Sequence, residues 1–372
     1  MQAKIETSRL EKMLKTVEGV ADKKASMAVL SMVLVEPKPE ESYLYLTATD
    51  LEVGYKGKIF AEIEGETSSF CVPARKFYEI VKNFPEDEIF LIKEDSKLVI
   101  KDQEEKIVYN LSITDSEEFP SLPEFVEESA IEIPGNVLEE LIDKTIFCTS
   151  KEESRFVLGG IYFEPLKDEG KLRAVASDGH RLALLDREVA GIEGVEFEGF
   201  IVARKAAKQI SDIAGEELAV KLGFTNNYVV LWTINSIFFA RTIEGTYPDY
   251  RSVIPENYEN VLRVDRKLFI DALKRVSLVI SERFKPITLE LTPEEVILTS
   301  QETEMGVAQV KLSASYEGEP LKVSYNAEYL LDALQIMKSE EVEFKVGGER
   351  VPATITGYRD EGFFYLVMPM VL

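Results

Sequence analysis

Self-similarity at a fixed interval constrains this chain more than any other feature of it. Amphipathic helices are expected to begin near Ser8, Ala74, Asn136, Ala203, Asp265 and Ala327, at steps of 66, 62, 67, 62 and 62 residues. A supersecondary unit that recurs six times at near-constant spacing argues for a repeat architecture and against a single irregular core. Alternate helices lie 124 to 129 residues apart, close to one third of the 372 residues, so the chain reads as three similar domains of two half-units each. Two Pro-punctuated connectors, EEFPSLPEF (117–125) and GTYPDYRSVIPE (245–256), repeat the interval, with Phe119 and Tyr247 128 residues apart. They place the domains at 1–127, 128–255 and 256–372.

Between the helices the pattern changes to period two. SYLYLTATD, KIFAEIEG, EIFLIKED, KLVIKDQ and IVYNLSI in the first third, and GGIYFEPL, KLRAVASD, LAVKLGF, NYVVLWTI and SIFFARTI in the second, alternate apolar and polar residues between turn signals. Thr225–Asn226–Asn227 and Gly347–Gly348 mark hairpin turns. Each half-unit is then one helix followed by mostly antiparallel strands, an α+β architecture with helices on one side and sheets outside. Six equivalent units related by similar rotations curve, and a homodimer that closed the curve would line its inside with helices.

The helices carry an unusual charge pattern. VPARKFYEIVKNF, from Val72, is echoed by VARKAAKQISDIA, from Val202, and both place two cations in the first helical turn. A helix N-terminus is partially positive, so Arg75, Lys76, Arg204 and Lys205 are each unfavourable there by roughly 0.3–1 kcal/mol. The six helical segments hold 15 basic and 11 acidic residues, whereas the whole chain carries −24, leaving −28 for everything else. Lys12, Lys208, Arg266 and Lys267 add to the set of cations. A basic, helix-lined surface against an acidic exterior can hold a phosphate backbone without reading bases. Ordinary solvated helix faces are the plain alternative.

Several chemistries are absent or disfavoured. There is no GxxxxGK[ST] or GxGxxG phosphate loop, no HExxH and no cysteine or histidine cluster, so no nucleotide, zinc or other cofactor is expected. The single histidine lies in AVASDGHRLALLD, where a Ser177–Asp178–His180 triad would have to form within one short turn; a hairpin turn is the better reading. Cys71 and Cys148 lie in apolar runs without CxxC spacing, as buried thiols of a reducing compartment do. No stretch resembles a signal peptide or membrane span, and a cytoplasmic location is expected. The end of the chain, GFFYLVMPMVL, is apolar enough to serve as a last strand and an adaptable contact surface at once.

DGHRLAL, VPARKFYEI, TYPDYRSVIP, YLVMPMVL and the TDLE at Thr49–Glu52, in that company and spacing, resemble the beta subunit of bacterial DNA polymerase III, the replicative sliding clamp family. The resemblance runs end to end. It implies a closed ring of two head-to-tail subunits, helices inside and sheets outside, which encircles duplex DNA without sequence specificity and tethers the replicative polymerase without catalysing a reaction. It also implies a pocket between the second and third domains for short linear peptides from polymerases, the clamp loader, and repair and ligase-type partners. By motif match that pocket comprises Leu158, Ser177, Gly179, His180, Arg181 and Leu182 from the middle third. The connector adds Pro248 and Val253, the last helix region adds Asn326 and Tyr329, and the chain end adds Leu366, Met368, Pro369 and Met370. Apolar walls with a few polar atoms suit an extended peptide with bulky anchors. His180 and Arg181 would hold peptide carbonyls or orient the turn. Ser252 and Val371 replace arginines found in the family, and Phe156–Val157 replaces an aromatic pair. For DNA the match adds Lys24, and for ring closure Tyr109 with Leu278 and Val279. A protein-only scaffold of the same fold is the competing reading.

Overall fold

A computed structural model describes residues 1–21, 27–127, 130–225, 227–280, 285–302, 304 and 306–371. Lys24 and Asn226 lie outside the described residues. Among the described residues there are six α-helices: α1 (Thr7–Val20), α2 (Ala74–Lys82), α3 (Gly135–Asp143), α4 (Arg204–Ala214), α5 (Arg266–Val276) and α6 (Ala327–Ile336). Each starts within one residue of the position expected from the repeat. α3 and α6 end earlier than the apolar periodicity suggests, because the chain passes into 3-10 geometry at Ile146–Cys148 and into extended backbone at Met337. Side-chain caps fix two of the starts. Asp265 Oδ1 accepts from the Leu268 N–H at 2.9 Å, and Asn326 Oδ1 accepts from the Glu328 N–H at 3.0 Å.

Among the described residues all strand pairs are antiparallel; the strands on either side of Gly347–Gly348 pair, as do Ala219–Thr225 and Tyr228–Trp232. The sheets, however, do not respect the thirds of the chain. An eight-stranded sheet joins strands of the first third to strands of the second, with Val53–Phe60 pairing against Ser236–Arg241. A nine-stranded sheet likewise joins the second third to the last, through Arg181–Glu188 against Phe363–Val367. A five-stranded and a four-stranded sheet complete the set. The chain accordingly forms two compact units, one of residues 1–139, 195–197 and 208–242, the other of residues 140–194, 198–207 and 243–372.

In the first unit, α1 and α2 pack together through Leu10, Leu14, Val17, Phe77 and Val81, all buried. In the second, α5 and α6 do the same through Phe269, Leu273, Leu330 and Leu334. Burying such side chains contributes roughly 1.5–3 kcal/mol each, which outweighs the weak propensity of helices this short. Both cysteines are free and buried, and burial pushes the Cys71 thiol up to about 11. Among the described residues, no helix is long and apolar enough to cross a membrane.

Candidate functional site

The SDGHR segment is a tight turn between the strands Lys171–Ser177 and Arg181–Glu188. Ser177 Oγ donates to the Arg181 carbonyl at 2.8 Å and accepts from the Gly179 N–H at 3.1 Å. Asp178 Oδ1 accepts from the N–H groups of His180 and Arg181, at 2.9 and 3.1 Å. Gly179 sits at φ +86°, in the left-handed region that glycine enters without a steric penalty. Every polar atom of Ser177 and Asp178 that could have served a hydrolytic triad is thus engaged in shaping the turn.

Arg181 organises what surrounds the turn. Its guanidinium donates to Asp178 Oδ2 at 3.0 Å, to Asp332 Oδ2 at 2.7 Å and to the Phe147 carbonyl at 3.0 Å. It also lies over the Tyr329 ring, 4.2 Å from the centroid, with Phe147 at 5.4 Å on another side. Three of the five guanidinium N–H groups are thus engaged inside the protein, and they orient the turn. His180 is exposed, and its own carbonyl accepts from the Met368 N–H at 2.9 Å. The Met370 N–H in turn donates to the Ser324 carbonyl at 2.7 Å, two residues before Asn326, the cap of α6. The chain end is therefore stitched to the turn on one side and to the strand leading into α6 on the other.

Beneath these contacts lies an apolar cluster. Leu182 and Leu366, paired across neighbouring strands, are buried with Val175, Leu184, Ile201, Tyr247 and Tyr250, and Leu158 packs against them. Met368 remains 37% exposed and Val253 48%, with Pro248 exposed and Pro369 and Met370 half-buried. The arrangement is an apolar floor with exposed, flexible apolar side chains on its rim, suited to an extended apolar ligand. Phe147 and Asp332 belong to this site by their contacts, although nothing in their own sequence neighbourhood marks them.

The cations separate into two groups. Lys12, Arg75, Lys76, Lys205, Lys208 and Lys267 are exposed on α1, α2, α4 and α5. Arg75 and Lys76 reach forward to Glu79, at 2.9 and 2.7 Å, which offsets their unfavourable place in the first turn and, through those hydrogen bonds, lowers the Glu79 pKa. Arg204 and Arg266 are half-buried and differently employed. Arg204 donates to the Ile146 carbonyl at 3.2 Å and to Thr149 Oγ1 at 2.9 Å. Arg266 donates to the carbonyls of Leu334 and Ser339, at 2.9 and 2.6 Å, just where the C-terminal end of α6 favours a cation. These two arginines tie neighbouring segments together while staying partly accessible at the helix starts.

Tyr109 is 41% exposed on Val108–Ser112, the edge strand of the five-stranded sheet, next to exposed Val108. Leu278 is 84% exposed and Val279 half-buried in the turn after α5. Gln309–Ser313 is an edge strand of the four-stranded sheet. Its alternating burial gave no sequence signal of an edge.

Three family models match the chain in succession: the DNA polymerase III beta subunit N-terminal domain at residues 1–123, its central domain at 132–249 and its C-terminal domain at 251–371. The beta sliding clamp of Caulobacter vibrioides is 32% identical over 379 residues, covering all of both chains. That of Vibrio cholerae is 28% identical, again over all of both. Among solved structures, the DNA polymerase III beta subunit of Thermotoga maritima superposes with a TM-score of 0.92 at 28% identity, covering 100% of this chain and 99% of that one. A sliding clamp from Bartonella birtlesii bound to griselimycin gives 0.92 at 29%, with both chains covered fully.

Proposed function

The chain belongs to the DNA polymerase III beta subunit family, the beta sliding clamps, and from that premise we propose that it is a processivity factor of DNA replication. Two copies close head to tail into a ring around duplex DNA, each contributing three domains bounded near residues 127 and 255. Tyr109 of one subunit meets Leu278 and Val279 of the other. Edge strands with open N–H and C=O groups, such as Val108–Ser112 and Gln309–Ser313, favour such an association, because an unpaired edge is completed by a second strand.

The observation that carries the reading is the exposure of cations on helix faces in a chain of net charge −24. Lysines at Lys12, Lys205, Lys208 and Lys267 can neutralise phosphates without contacting bases, which permits sliding. The cluster of Leu158, Leu182 and Leu366, rimmed by Pro248, Val253, Met368, Pro369 and Met370, receives short peptides of the replicative polymerase, the clamp loader and repair partners. The Ser177–Arg181 turn, Asn326 and Tyr329 frame it. Such a protein works in the cytoplasm, needs no cofactor and catalyses nothing.

The test is retention on nicked circular DNA after the matching clamp loader and ATP have acted, followed by linearisation of the circle. Release on cutting is expected, since a ring is linked to the circle only topologically. Equal retention before and after cutting means ordinary electrostatic binding, and no retention with an active loader favours a protein-only scaffold. Deleting Met368–Leu372 is expected to abolish peptide binding while leaving the topological link.

A further inference from the structure

The eight-stranded sheet of the first unit holds a cavity of about 540 Å³ beneath the 117–127 connector, and no residue of the proposed DNA, peptide or dimer surfaces lines it. Its volume falls within the roughly 300–1,000 Å³ of ligand pockets. The floor is one row across four adjacent strands, in which Leu34 pairs with Thr47, Thr47 with Lys56, and Lys56 with Ile237. Phe119, Leu122 and Phe125 of the connector form its roof.

The internal repeat explains why the cavity exists. Thr49–Val53 folds into the same turn as Ser177–Arg181. Thr49 Oγ1 donates to the Val53 carbonyl at 2.8 Å, and Asp50 Oδ1 accepts from the N–H groups of Glu52 and Val53 at 3.0 and 2.7 Å. The Arg241 N–H meets the Glu52 carbonyl at 2.8 Å, as the Met368 N–H meets that of His180. With the two turns aligned, the row Leu34, Thr47, Lys56, Ile237 corresponds to Tyr162, Val175, Leu184, Phe364 of the second unit. There the Tyr162 ring stacks on Tyr247 of the connector, centroids 5.1 Å apart and planes at 8°, and fills the space. In the first unit Leu34 stands in place of that tyrosine, and the room remains. Thr47 stands in place of Val175, and its buried hydroxyl has no hydrogen-bond partner among the described residues. Lys56 is paired with Glu36 at 3.6 Å, and the connector above exposes Glu117, Glu118, Glu124 and Glu127.

We propose that this cavity is a second docking site, which takes an extended peptide with one tyrosine anchor flanked by lysine or arginine. The anchor ring occupies the volume that Tyr162 fills in the other unit. A polar group of the peptide satisfies Thr47 Oγ1, and the flanking cations meet the acidic connector. The site goes beyond the clamp reading and does not depend on it.

Trp232 is the only tryptophan of the chain, and it is buried with Val230 and Phe239 in the cluster on which Leu122 and Phe125 pack. Its fluorescence therefore reports on this cavity. The intact protein is titrated with acetyl-Lys-Lys-Tyr-Lys-Lys-amide, with excitation beyond the tyrosine band. A saturable change in Trp232 emission is expected, absent with alanine as the anchor and unaffected by deletion of Met368–Leu372. Leu34→Tyr, which rebuilds the stack, is expected to weaken binding roughly tenfold or more, and Thr47→Val about three- to tenfold, with circular dichroism unchanged. An unsaturable response, or an equal response to the alanine peptide, overturns the proposal as non-specific attraction to an acidic protein. Parent-like affinity in Thr47→Val together with Leu34→Tyr overturns it as binding elsewhere. Should Leu34→Tyr fail to fold, the near-isosteric Thr47→Val decides alone.

Discussion

Replacing Arg181 by methionine removes the guanidinium and keeps a long apolar stem, so it isolates what the charged fork contributes. The losses are unequal. Asp332 is 44% exposed in its side chain and rehydrates, so its lost partner costs little. Asp178 keeps two backbone N–H donors in the variant. The partly buried Phe147 carbonyl, by contrast, loses its donor, at about 1–3 kcal/mol. Stacking over Tyr329 and Phe147 adds roughly 0.5–2 kcal/mol. The expected total is about 3 kcal/mol, which for a unit of this size lowers the melting temperature by roughly 6–12 °C at ~2–4 °C per kcal/mol. Calorimetry together with urea unfolding measures it. Asp332→Asn is expected to cost under about 1 kcal/mol, and Arg181→Lys to recover less than half of the loss, since an ammonium cannot reproduce three divergent bonds. A shift below ~2 °C for Arg181→Met, or equal losses for Arg181→Met and Asp332→Asn, would refute this ranking of the interactions.

Asp360 is buried, which is the largest influence on it and raises its pKa; the Ser339 hydroxyl, the Lys338 and Ser339 N–H groups and Lys144 outweigh this and hold it below the ordinary value. Its contribution is therefore complete above the unfolded carboxylate value of about 3.9 and is lost as pH falls through the lower folded value, so Asp360→Asn should flatten the acid limb of urea midpoints measured below about pH 4. Glutamine at Lys205, Lys208 and Lys267 is expected to lower the salt dependence of DNA binding by about 0.9 in log–log slope for each phosphate left without its cation, whereas Arg266→Gln destabilises the fold and leaves that slope unchanged. Leu51 adopts φ +77° while 51% exposed, so Leu51→Gly should change stability by less than about 1 kcal/mol; Gly179→Ala, at φ +86° and 2.4 Å from Arg155 Nη1, should cost about 1–2 kcal/mol by chemical denaturation.

The helices were legible because three are announced locally, by Asp265 or Asn326 as a cap or by Pro73 at the entry, and because a repeat multiplies weak signals. Strands were legible for the same reason, through period two. What the sequence does not carry is which strand meets which. Val53–Phe60 finds its partner about 180 residues away, and no local feature says that a sheet runs on across a repeat boundary. The same holds within the candidate site. Residues in one motif, such as Ser177–Leu182, come to light together, but Phe147 and Asp332 reach Arg181 from a 3-10 turn and from α6, and only tertiary contact identifies them. The basic helix starts show the limit from the other side. Arg204 and Arg266 share a sequence pattern with Lys205 and Lys267, yet only the tertiary structure shows that the arginines reach backbone carbonyls of neighbouring segments.

The two repeat-related turns show how one scaffold can carry two different surfaces. Five backbone positions are held by the same hydrogen bonds in Thr49–Val53 and in Ser177–Arg181, so the turn itself specifies no activity. Function enters through the side chains that replace one another on it. Where Arg181 gathers Asp178, Asp332, Phe147 and Tyr329, Val53 is buried and gathers none of their counterparts' charge. Where Met368 follows the last strand of one sheet, Arg241 ends the matching strand of the other and faces Glu52 at 3.5 Å. The apolar, adaptable rim of the second unit thus becomes a charged, solvated rim in the first. The filled aromatic stack of the second becomes an open cavity in the first, through the same register, with leucine in place of Tyr162 and phenylalanine in place of Tyr247. Divergence at a handful of facing positions, on a backbone that both copies must keep for their sheets to pair, is enough to give each copy its own rim and floor chemistry.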